Sequence, residues 1–146
     1  MKILVINGPN MNMLGIRQPE IYGRTTYADL LAMIRAEAET MGVDVDFFQS
    51  NHEGDLISAM QQAYLDDVDG IIINPAAYTH TSIALLDAVK AVGIPTVEVH
   101  VSDPDTREEF RRVSYIRAAC VATVRGKGLA GYTEALHILH DLLKKA

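Results

Sequence analysis

This chain of 146 residues contains one cysteine, Cys120. A single thiol cannot close an intrachain disulfide, which suits a reducing compartment. Cys120 lies in the apolar run Ala118-Ala119-Cys120-Val121-Ala122 and is expected to be a plain core residue. No apolar run approaches the ~20 residues that a membrane span needs. The opening, Met1-Lys2 followed by four apolar residues, is too short for the apolar region of a signal peptide. A cytoplasmic location is therefore expected. Low-complexity tracts, linkers and repeats are also lacking, so residues 1–146 are read as one domain with a real core. Positive charge is in deficit: 13 Lys and Arg stand against 19 Asp and Glu, a net charge of -6. Such a surface repels nucleic acid and acidic membranes. A local arginine-rich patch, Arg107, Arg111, Arg112 and Arg117, can still draw a small anion.

An apolar content of 49% and a charged content of 22% fit an ordinary globular domain. Strand-like apolar runs at 2–7, 43–49, 70–74, 96–100 and 120–124 alternate with amphipathic stretches at 27–41, 55–66, 80–92 and 133–145. Ser50 or Asn51 is placed to cap the second of these helices. Gly42 and Gly93 are placed to stop helices just before strands. Strict βαβα alternation with fully apolar strands predicts an α/β fold with a parallel sheet covered on both faces. Five strands suggest the flavodoxin-like order 2-1-3-4-5, with the active crevice at the carboxyl ends of strands one, three and four.

Three segments converge at that crevice. Asn7, Asn10, Asn12, Arg17 and Tyr22 follow the first strand, Asn74 to His80 the third, and Glu98 to Asp103 the fourth, with Arg107 and Arg111 beyond. Glu98 and His100 lie at i and i+2, so they share a strand face. A carboxylate there fixes the imidazole tautomer and raises its basicity, which suits proton transfer; the plain alternative is an ion pair at a strand end. Arg17 and Tyr22 share one loop. A cation ~4 Å from a phenol, at an effective dielectric of ~20, contributes up to roughly 4 kcal/mol, enough to bring tyrosinate within reach of neutral pH. The alternative is a tyrosine packed on the core. Thr81 and Ser82 open the third helix and offer either a carboxylate seat or ordinary capping.

Other features carry less. Glu134, His137 and His140 face one side of the last helix, but one Glu-x-x-His without a second copy is a poor metal signal. Gly126, Gly128 and Gly131 follow the fifth strand with no Lys-Ser/Thr behind them, so they are no P-loop and instead shape the turn into the last helix. Met11 and Met13 read as packing. A phosphoreceiver would need paired acids after strand one, and an FMN-binding flavodoxin a Ser/Thr-rich loop there. Asn7-Gly8-Pro9-Asn10 is neither.

The block Asn7-Gly8-Pro9-Asn10-Met11-Asn12-Met13-Leu14-Gly15, with Arg17-Gln18-Pro19 and Ile21-Tyr22-Gly23, resembles the opening signature of type II 3-dehydroquinate dehydratases. So do Ile73-Asn74-Pro75-Ala76-Ala77-Tyr78-Thr79-His80, Val97-Glu98-Val99-His100-Val101-Ser102, Glu109-Phe110-Arg111, Gly126-Lys127-Gly128 and Gly131-Tyr132. The resemblance covers the whole chain in order. It implies a hydro-lyase of the shikimate pathway or quinate catabolism that converts 3-dehydroquinate to 3-dehydroshikimate by anti elimination through an enolate. It implies no cofactor, no metal and no Schiff base. By the same resemblance Tyr22 is the base, Arg17 lowers its pKa and helps bind a closing lid, and Asn12 stabilises the enolate through a water. His100, paired with Glu98, protonates the departing hydroxyl. Asn74, Ala76, His80 and Arg111 would bind substrate, and the backbone at Val101 and Ser102 would hold its carboxylate. Asp87 matches a residue that the family contributes from a neighbouring subunit. The family assembles as trimers, often four to a homododecamer.

Three positions depart from the family pattern: Gln18 where Glu is frequent, Asp103 where Asn is common, and Val113 where His is frequent. A carboxylate at 103 is unfavourable beside the carboxylate seat unless it points away or pairs with Arg107.

Overall fold

A computed structural model describes residues 1–16 and 18–146, and for Tyr22 the backbone alone. Five strands, β1 (Lys2–Asn7), β2 (Asp44–Gln49), β3 (Gly70–Asn74), β4 (Thr96–His100) and β5 (Ala122–Arg125), form one sheet in the order β2-β1-β3-β4-β5. Every neighbouring pair is parallel. The helices are α1 (Pro19–Tyr22), α2 (Tyr27–Met41), α3 (Glu53–Leu65), α4 (Ile83–Val92) and α5 (Ala130–Lys144). The flavodoxin-like order expected from the alternation is the one observed.

Strand periodicity divides the core between the two faces. Ile3, Val5, Ile72, Val97, Val99 and Val124 pack against α2 and α5, which contribute Leu30, Ile34, Leu136 and Leu139. The alternate positions Ile6, Ile71 and Ile73 pack against Leu56 and Met60 of α3 and Leu85 and Val89 of α4. Full burial of each such side chain contributes about 1.5–3 kcal/mol. Continuing the parity to the strand ends places Asn7 and Asn74 on the α2/α5 face and Glu98 and His100 on the other. The register sets Asn7 beside Asn74 and Glu98 beside Thr123.

Local chemistry explains the boundaries. Thr26 and Asp29 form a reciprocal capping box at the start of α2. Gly42 and Gly93 end α2 and α4 in the left-handed conformation, as the sequence suggests. The third predicted helix starts at Ile83 instead of residue 80, because Ala76–His80 winds as a 3-10 turn and Ser82 then accepts from the Leu85 amide. Ser82 thus serves as a cap. At α3 the cap position is His52, with Ser50 Oγ accepting from its amide and donating to Asp55. The last strand starts at Ala122, since Cys120 closes the 3-10 turn Ile116–Ala119. Cys120 is partly buried against the α3/α4 core, and burial pushes its thiol up to about 12.

Gly8 shows how tightly the crevice is built. A Cβ there would lie 2.6 Å from the Pro75 carbonyl oxygen, while the Gly8 amide donates to the Asn74 carbonyl at 2.8 Å. Only glycine lets the two loops approach so closely.

Candidate active site

A cleft of about 160 Å³ opens above the carboxyl ends of β1, β3 and β4. Its walls include Asn10 and Met11 after β1, Asn74, Ala76 and His80 after β3, and His100, Val101, Ser102, Arg107 and Arg111 after β4. A larger groove of about 1050 Å³ runs along β2 and α3, but it is lined by Asp44, Asp46, Asp55, Asp66 and Asp67 and holds no histidine or arginine. Positive charge therefore collects at the small cleft, and negative charge at the large groove.

At the end of β4, His100 Nε2 and Glu98 Oε1 are 2.6 Å apart, with the Glu98 side chain fully buried. The carboxylate requires a proton on Nε2, which leaves Nδ1 for the cleft. Glu98 also accepts from Thr79, Ser114 and Thr123, and its Oε2 lies 3.5 Å from Arg117 Nε. Burial alone would raise this carboxyl. The His100 hydrogen bond and charge, with the Ser114 and Thr79 hydroxyls, overcome that and bring it down to about 2. Glu98 is thus an ionised partner that holds the imidazole in one orientation.

The turn after β3 is strained where it meets the cleft. Ala76 has a φ of 52°, and its amide donates to Asn74 Oδ1 at 3.1 Å. Asn74 Nδ2 donates to Tyr132 Oη at 2.9 Å and to Met11 Sδ at 3.4 Å. Tyr132 Oη in turn donates to Asn7 Oδ1 at 2.6 Å. This buried network fixes the cleft floor. Burial pushes the Tyr132 phenol up, so it remains a neutral donor. His80 is held by Nδ1 donating to the Val113 carbonyl at 2.7 Å. Burial pushes its imidazole down, favouring the neutral form with Nε2 as an acceptor. Because the partner is a backbone carbonyl, valine at 113 serves as well as histidine would.

The segment after β4 carries the cations. Arg107 Nη1 lies 3.5 Å from Ser102 Oγ, and Arg111 Nε donates to Glu108 at 2.7 Å. The Gly126 and Gly128 amides bond the Ser102 and Val101 carbonyls at 3.2 and 3.0 Å. The glycine-rich turn thus clamps the 101–102 backbone as well as leading into α5. Asp103 points into its own turn: Oδ1 accepts from the Asp105 amide at 3.0 Å and caps Pro104–Thr106.

Of the residues expected at the site, Asn74, Ala76, His80, His100, Val101, Ser102 and Arg111 come together around the cleft, with Glu98 directly behind. Asn12 sits on the 3-10 turn Met11–Met13 and is exposed, with Gln49 Nε2 3.4 Å from its Oδ1; it does not line the cleft. Asp87 shares the exposed face of α4 with Ile83, one turn earlier, and does not line its own chain's cleft. Arg17 and the Tyr22 side chain lie outside the described residues. Arg107, placed by the sequence beyond the fourth strand with Arg111 but outside the family's motif blocks, also lines the cleft. Tyr132, Thr79 and Ser114 carry buried contacts that the sequence did not single out. In the sequence Thr79 and Tyr132 stand only inside motif blocks, and Ser114 in none. Among the described residues no group of three or more His, Cys, Asp or Glu side chains could hold a metal ion. On α5, Glu134 pairs with Lys127 and His137 with Glu37, while His140 Nδ1 lies 3.8 Å from Asp141.

A flavodoxin-like sheet whose switch point carries a buried carboxylate–imidazole pair and a small cationic cleft defines an α/β enzyme suited to moving protons on a small anion. The family model for dehydroquinase class II matches residues 1–140. The chain is 53% identical over 142 residues to a 3-dehydroquinate dehydratase of Caldicellulosiruptor bescii, covering 97% of this chain and 98% of that protein. It is 53% identical to the enzyme of the same name from Clostridium acetobutylicum, over 99% of this chain and all of the relative. The crystal structure of type II dehydroquinase from Butyrivibrio crossotus superposes with a TM-score of 0.94 at 48% identity, covering 95% and 97% of the two chains. The chain belongs to the dehydroquinase class II family.

Proposed function

We propose that this chain is a 3-dehydroquinate dehydratase, a hydro-lyase that removes water from 3-dehydroquinate to give 3-dehydroshikimate in the shikimate pathway. The observation that carries the reading is the buried Glu98–His100 pair opening onto an arginine-lined cleft, in a chain that matches the family over nearly its full length. Tyr22, as tyrosinate assisted by Arg17, takes the C2 proton. Asn12, which stands outside the cleft wall, meets the enolate charge only by way of a bridging water. His100, protonated and oriented by Glu98, gives its Nδ1 proton to the hydroxyl, which departs as water. One proton is taken and one given, so exchange with solvent restores both groups. Arg111, His80, Asn74 and Ala76 bind substrate, and the 101–102 backbone seats its carboxylate.

Residues 1–146 act as one catalytic domain in the cytoplasm. No helix among the described residues is long and apolar enough to cross a membrane. The chains assemble as trimers, and four trimers as a dodecamer. Exposed Ile83, Phe110, Val113 and Tyr115 supply apolar surface for such contacts, and Asp87, exposed beside Ile83, reaches a neighbour's cleft. The test is to incubate purified protein, without added metal, with 3-dehydroquinate and follow the ultraviolet absorbance of the conjugated enone. A steady rise is expected; a flat trace from folded protein would refute the assignment.

A further inference from the structure

The carboxylate behind His100 is enclosed by hydroxyls that the scheme above does not use. Ser114 Oγ lies 2.5 Å and Thr79 Oγ1 2.7 Å from Glu98 Oε1, and the two hydroxyls are 2.7 Å from each other. Three oxygen–oxygen edges share two hydroxyl hydrogens, so Oε1 receives at least one of them in any arrangement. Further bonds join the two stretches of chain that carry these residues. The Tyr115 amide donates to the Thr79 carbonyl at 2.9 Å, and His80 Nδ1 to the Val113 carbonyl at 2.7 Å. Segment 113–115, just beyond Arg111, is thereby stitched to segment 79–80, and both are stitched to Glu98.

We propose that Ser114 and Thr79 act together as positioning residues for His100, restraining the Glu98 carboxylate and setting how firmly it holds the imidazolium proton. The proposal rests on the assignment of His100 as the acid. A hydroxyl donating to Oε1 competes with His100 Nε2–H for the same oxygen. Removing one leaves a more basic carboxylate that retains the proton, and so a weaker acid in a looser orientation. Among the described residues the other charged or titratable neighbours are Arg117 beside Oε2, His80 and Arg111 on the cleft side, and Cys120. All of them remain in the variants, so a change reports the hydroxyls.

The experiment compares Ser114→Ala, Ser114→Thr and Thr79→Val. It measures kcat, KM and the pH profile, and follows the His100 ring by NMR, its signal assigned by loss in His100→Gln. Ser114→Ala should lower kcat about tenfold, the worth of one hydrogen bond to a charged group, with little change in KM. The basic limb of kcat and the titration midpoint of the Glu98–His100 pair should both move to higher pH. Ser114→Thr, which keeps the hydroxyl, should restore both. If Ser114→Ala does not fold, Thr79→Val removes the other hydroxyl at nearly constant shape and is read the same way. The proposal requires the kinetic and the titration changes together; either alone, or neither, overturns it. Near-normal turnover by His100→Gln would instead refute the acid assignment, and the ring titration in the Ser114 variants would still report on the hydroxyls.

Discussion

Asn74 Nδ2 donates to Tyr132 Oη across 2.9 Å, tying the carboxyl end of the central strand to the last helix. Tyr132 is fully buried and passes its own hydrogen to Asn7. One phenol therefore holds two strand ends side by side beneath the cleft.

Tyr132→Phe should leave Asn7 Oδ1 and an Asn74 amide hydrogen buried without these partners. A loss of roughly 2–4 kcal/mol in folding stability is expected, read from the urea midpoint at constant slope. KM should rise as well, because Asn74 and Ala76 share a turn with His80. An unchanged midpoint would show that the network contributes nothing to stability.

The Glu98 carboxyl is held below its ordinary value, at about 2. A depressed folded-state pKa adds stability that is fully present above the ordinary carboxylate range and is lost as pH falls through the folded value. Glu98→Gln should therefore cost stability at pH 7, and its difference from the unsubstituted protein should shrink between about pH 4.5 and about pH 2. Thermal melts of both proteins across that window check it. A difference that stays constant with pH would contradict an ionised Glu98.

Tyr22→Phe removes the only group assigned as base. Turnover should fall by at least about a hundredfold, at the lower end of what general bases contribute, while much of the substrate affinity, measured by calorimetry, is retained. Near-normal turnover would take Tyr22 out of the mechanism.

Much of this was legible from the chain because strand periodicity is a local rule. Glu98 and His100 share a face since Val97 and Val99 take the other, and the topology follows from the alternation of elements. Tyr132 was not legible in the same way, because its bond to Asn7 joins residues 125 apart. The available signal was a tyrosine on the buried stripe with Ala135, Leu136 and Leu139, whose hydroxyl must find a partner. Ser114 and Thr79 were hidden for the same reason. Their meeting depends on how two irregular segments fold together, which no period encodes. The start of α4 is not legible in the sequence, because 3-10 and α windings share the same residue types; the Ser82 cap marks the boundary.

The central claim is that base and acid act from opposite sides of the substrate, giving anti elimination. The direct measurement uses 3-dehydroquinate labelled with deuterium stereospecifically at C2, with the product examined by mass spectrometry. Loss of the label from the position anti to the departing hydroxyl, and its retention at the other, is the predicted result. Loss from the syn position would contradict the account.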